Sequence, residues 1–147
     1  MSRSVSIDFS FRGATRVTVQ GILRVLEPGG WGTIEPLGLS FAVEDAMGDL
    51  DWTATVPEQL NSVVAALDDP GRVHQHVGIC VYHQAAGTGG QLLFFPGREQ
   101  ISFLPTINRR AHVVGPEFTD IPWYLEQMLP AFYEAGMTGY ETEDVAD

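Results

Sequence analysis

His74-Gln75-His76 followed by Cys80 is the densest grouping of metal-seeking side chains in the chain. Successive side chains of a strand point to opposite faces, so His74, His76 and Cys80 would share one face and His83 would take the other. Two imidazoles and a thiolate suit zinc or iron, and His112 is the one histidine left to complete a set. The same letters also describe solvent-facing histidines at a strand's start and a buried cysteine, with no metal at all. Asp49-x-Asp51 is a second pair of hard oxygen ligands, but the spacing of an EF-hand loop is absent. Gly87-Thr-Gly-Gly90 has the composition of a phosphate cradle. Such a cradle needs a helix N-terminus behind it, whereas here the following residues read as a strand, so a flexible hairpin loop is expected. There is no G-x-S-x-G and no H-E-x-x-H. Not one lysine occurs, which excludes a lysine Schiff base, a Walker-type phosphate lysine and a Ser-Lys dyad. The expectation is no catalytic centre, no metal and no cofactor.

Charge carries more information than these clusters. Nineteen carboxylates stand against eight arginines, a formal net charge of -11. That field repels nucleic acid and anionic membrane and attracts basic partners. From residue 44 to residue 69 there are seven acids and no arginine: Glu44, Asp45, Asp49, Asp51, Glu58, Asp68 and Asp69. Taken singly each reads as part of a solvated face. Taken together they form an acidic surface complementary to a basic active site. The expected partner-binding residues are Glu44, Asp45, Asp49, Asp51, Asp68 and Asp69, with Trp52 as the aromatic anchor among them. Trp31 and Trp123 read as core or half-buried rings at the ends of elements. Arg109-Arg110, the one basic doublet, is expected where a strand leaves the sheet.

The elements that must position these residues follow from periodicity. Val5, Ile7, Phe9 and Phe11 alternate with polar residues, the signature of a half-buried strand. Val19, Ile22, Leu23 and Leu26 share one helical face, and Pro28-Gly29-Gly30 ends it. Thr15, Val17 and Val19 also alternate, a competing strand signal. Thr33 to Val43 reads as one or two short strands interrupted by Pro36 and Gly38, and Asp49 to Thr55 as a loop leading into an extended piece. Pro57 opens a second helix with the stripe Leu60, Val63, Val64 and Leu67, stopped by Asp69-Pro70-Gly71. Val77 to Tyr82, Leu92 to Phe95 and Gln100 to Ile107 read as strands. Thr119-Asp120 caps a last helix whose buried face is expected to be Ile121, Leu125, Met128, Leu129 and Phe132. Pro130 should kink this helix, and Gly136 should end it. The tail from Thr138 adds an edge strand. The expectation is a single α+β domain over residues 1–147: one antiparallel or mixed β-sheet with about three helices packed on one face. Cys80 is the only cysteine, the start has no apolar leader, and no stretch is apolar enough to span a bilayer, so a cytoplasmic protein is expected.

Three stretches carry a resemblance. They are Leu26-Glu-Pro-Gly-Gly-Trp31 with Pro36-Leu-Gly38 and Asp49-Leu-Asp-Trp52; Gly90 to Gly97 through Ile101 to Arg110; and Asp120 to Pro130. Their pattern resembles bacterial polymorphic-toxin immunity-type proteins. The resemblance implies a role, neutralising a cognate toxin by covering its active site, and assigns no residue. His74-Gln-His76 is similar to part of a cupin's first motif, without the glutamate expected after it. Two other readings stay open: a small metal-binding protein or enzyme using His74, His76, Cys80 or Asp49 and Asp51, and a homodimeric domain of unassigned role.

Overall fold

The computed structural model describes residues 2–13 and 17–147; Thr15, one of the three residues of the competing strand signal, lies outside them. The fold is α+β, built on one antiparallel sheet. In chain order the elements are β1 (Arg3–Phe11), α1 (Val19–Leu26), β2 (Trp31–Gly32), β3 (Leu39–Glu44), β4 (Leu50–Thr55), α2 (Leu60–Leu67), β5 (Val77–His83), β6 (Thr88–Phe94), β7 (Gln100–Ile107), α3 (Ile121–Glu134) and β8 (Met137–Ala146). The strand order is β4-β3-β5-β6-β7-β1-β8, and β2 pairs with β5 beyond the end of β3.

The register lines up one apolar row across the sheet. Ile7 faces Phe103, Phe9 faces Ile101, Leu92 faces Phe103, and Ile79 faces both Leu92 and Phe41. The helices cover this row. From α3, Phe132 meets Phe9 edge-on at 4.3 Å between ring centres, and Tyr124 tilts against Phe103 at 5.4 Å. The Tyr124 hydroxyl shares a hydrogen bond with Thr88 Oγ1 (2.6 Å) and accepts from the Arg110 N–H (2.9 Å), so this fully buried tyrosine leaves no polar group unpaired. At the sheet's far end Arg98 is 5% exposed, with its guanidinium donating to the carbonyls of Gln75 (2.7 Å), Phe95 (2.8 Å) and Arg72 (2.9 Å). It ties the turn before β5 to the turn between β6 and β7.

Several boundaries differ from those the sequence predicts. β6 begins at Thr88, so Gly89 and Gly90 are strand residues and the flexible loop shrinks to the turn before them. The reason is close approach across a register shift: a Cβ on Gly89 would stand 2.1 Å from the Val81 carbonyl oxygen, and one on Gly90 1.9 Å from that of Leu104. β2 is only two residues long, and Thr33 to Gly38 leaves the sheet as a turn closed by Glu35 and Gly38. β4 extends through most of Asp49 to Thr55 as an edge strand. In α3 the fully buried residues are Tyr124, Met128, Ala131 and Phe132, while Ile121, Leu125 and Leu129 are half-buried. The stripe is rotated because Tyr124, with its hydroxyl satisfied inside, serves as a core residue. The helix runs through Pro130, which lies on its exposed side. Gly136 takes the left-handed conformation (φ 98°) after α3.

Candidate functional site

The metal-seeking side chains are not brought together. His74 is exposed in the turn before β5. His76 is held by Glu44, whose carboxylate accepts from the His76 backbone N–H (3.2 Å) and lies 3.4 Å from its Nδ1. Cys80 is 6% exposed, and burial, with a smaller contribution from Glu35, pushes its thiol up to about 12. A thiol held protonated is a poor nucleophile and a poor ligand. His83 stands on the opposite face, edge-on to Trp31 (5.2 Å) and Trp123 (5.6 Å). Its Nδ1 accepts from the Ala86 N–H, which leaves Nε2 to donate to the Gly29 carbonyl at 3.0 Å. His112 accepts from the Val114 N–H. Among the described residues no three His, Cys, Asp or Glu side chains gather around a common point.

The acidic stretch divides in the same way. Both oxygens of Asp68 accept from the first N–H groups of α1, those of Val19 (2.7 Å) and Gln20 (3.0 Å). Asp68 therefore caps a helix that begins 49 residues earlier in the chain. Asp69 caps the short 3-10 turn after α2 through the Gly71 N–H. Asp45 closes the β3–β4 turn by accepting from Met47 and Asp49. Asp49 and Asp51 are exposed, and among the described residues neither carboxylate accepts a hydrogen bond. Asp68 and Asp69 belong to the helix side of the sheet, and Asp51, paired with Val43, points to that side at the β4 edge, whereas Glu44 and Trp52 lie on the other side.

That other side is the open face, which no helix of the described residues covers. Side-chain alternation places Trp52, Ala42, Gly78, Leu93 and Leu104 on it, opposite in phase to the core row. Trp52 lies across Gly78, where a Cβ would meet its ring at 2.9 Å and the Leu93 methyl at 3.1 Å. Phe95 packs edge-on to His76 at one end of the face, 4.9 Å between ring centres. Trp52, Leu93, Phe95 and Leu104 are all half-buried. Carboxylates border them: Glu44 at one end, and Asp8, Glu141 and Glu143 on the paired strands β1 and β8. Leu93, Phe95 and Leu104 are additions to the residues expected from the sequence. The signal was present in Leu92-Leu-Phe-Phe95, a run with apolar groups at both parities, which marks a strand that carries apolar surface on both faces. The other two tryptophans belong to the helix side. Trp31 is buried, and Trp123 is half-buried with the Arg110 guanidinium 4.8 Å over its ring.

No helix of the described residues is long and apolar enough to cross a membrane. No family model, curated protein or solved structure matches this chain.

Proposed function

We propose that this chain is an acidic, cytoplasmic binding protein that neutralises a basic protein partner, a toxin domain, by laying the open face of its sheet over the partner's active site. One observation carries the reading: a partly exposed tryptophan, Trp52, sits on a sheet face that no helix of the described residues covers, with Glu44, Asp8 and Glu141 on the same face. Tryptophan dominates interface hot spots because it offers a large rigid surface, and the surrounding carboxylates favour a basic counterpart. The net charge of -11 adds long-range attraction for such a partner and opposes pairing of this face with a second copy of itself.

The test is association kinetics against the product of the neighbouring coding sequence over a salt series. Association should slow as salt rises, and Asp49→Lys with Asp51→Lys should slow it further. Trp52→Ala should act on the other limb and speed dissociation. Binding indifferent to salt and to all three substitutions would move the interface elsewhere. Absence of binding would remove the toxin-neutralising role.

A further inference from the structure

We infer that the trough between α1 and α2 is a second docking site, which takes one large apolar side chain from a basic segment of a partner protein. A hollow of about 370 Å³ opens there, lined by Leu23, Trp31, Ile34, Pro57 and Leu60. A neighbouring, more polar hollow of about 380 Å³ shares Leu23, Glu27 and Leu60 with it and adds Gln20, Asn61 and Asp68. Both helices are only eight residues long, about 12 Å each.

The margin names the occupant. Ile34 and Val56, beside the trough, are each 53% exposed, an apolar rim left in water. Glu27 lines both hollows and Glu58 adjoins Pro57. Both carboxylates are exposed and, among the described residues, neither makes an ion pair. Arg24 is the single cation on the walls. An apolar floor under a net acidic rim is complementary to an aromatic or leucine side chain flanked by arginine or lysine, the pattern of a short helix seated in a groove. The same rim opposes a second copy of this chain and an anionic lipid or nucleic acid. The site lies on the helix side of the sheet and does not depend on the open face.

The probe is an alanine-based helical peptide carrying one tryptophan flanked by arginines, titrated into the ¹⁵N-labelled full chain. Two control peptides carry alanine for tryptophan or glutamate for arginine. Amide shifts should concentrate on Leu23, Gly32, Ile34 and Leu60, and both controls should bind at least about tenfold more weakly. Ile34→Asp, an exposed position, should weaken the peptide by a similar factor with an unchanged thermal midpoint. Glu27→Lys should weaken it by about threefold, mostly at low salt. Trp52→Ala should leave the affinity as it was. Shifts centred on the open sheet face, equal binding of the alanine control, or indifference to both Ile34→Asp and Glu27→Lys would overturn the inference.

Discussion

The two faces of this sheet are made by the same strands and differ only in the parity of the residues, yet they bury their side chains by different means. On the helix side, Ile7, Phe9, Phe94 and Phe103 are wholly inaccessible because a second layer, with Phe132 of α3 in it, interlocks with them. On the open side, burial is achieved inside the sheet. Ala42 and Gly78 are small enough for Trp52 to lie across them, and Ser102 is covered by its neighbours while donating to Asp8. A layered face stabilises through many contacts per side chain, whereas a self-covered face leaves part of each large side chain in contact with solvent. Under the function proposed above, the layered parity carries stability and the open parity carries the toxin-binding surface.

The sharpest way to break this comparison is at the layered face. Phe132→Ala should cost about 3–5 kcal/mol, read as a fall in the urea midpoint. Leu129→Ala, half-buried on the same helix, should cost clearly less. Equal losses would mean that the buried side of α3 is misassigned. Arg98→Met comes next, at about 2–3 kcal/mol, because three buried carbonyls lose a charged donor together. A neutral result in thermal unfolding would show that water replaces the guanidinium.

The open face should respond more weakly and in a coupled way. Gly78→Ala should cost about 1–3 kcal/mol by forcing Trp52 and Leu93 apart from the new methyl. In a Trp52→Ala background most of that cost should disappear, and a double-mutant cycle showing additive losses would contradict the contact. The last effect is a pH slope, felt only in alkaline solution. The folded Cys80 thiol is pushed up to about 12 from 9.0, so above about pH 9 the unfolded chain releases this proton and the folded chain keeps it. Stability should therefore be fully present below pH 9 and fall with rising pH, by at most about 1.4 kcal/mol per pH unit until the folded thiol ionises. Cys80→Ala should remove this part of the alkaline slope, and superimposable stability profiles for the two proteins would exclude it.

What the sequence disclosed depended on whether the cause was local. The alternation of β1, the α2 stripe, the Asp120 cap of α3 and the glycine stop at Gly136 all appear where periodicity and capping predict them. The onset of β6 was hidden because Gly90 answers to the Leu104 carbonyl, and the rotated face of α3 because Tyr124 finds its partners at Thr88 and Arg110. The candidate site shows the same division. Trp52 stands out by residue type alone, but only the strand register brings Leu93 and Leu104 onto its face. Asp68 and Asp69 look no different in sequence from Asp49 and Asp51. Asp68 is set apart by a helix N-terminus 49 residues away, which no local pattern encodes, and Asp69 by the turn it caps at Gly71.

The placement of β1 between β7 and β8 carries a consequence for how the chain folds. Phe9 pairs with Ile101 and with Tyr140, so a strand made early has no neighbour until the far half of the chain exists. Closing loops of that span is slow, and sheets dominated by such pairings fold on the scale of about milliseconds to seconds rather than microseconds. During synthesis the interval is longer, and Ile7, Phe9 and Phe11 wait through it as an unpaired apolar ribbon. The β5-β6-β7 meander, whose neighbours are adjacent in sequence, is the natural first scaffold. β1 then docks on it last but one, and β8 seals the assembly by running back along the strand with which the described chain opens.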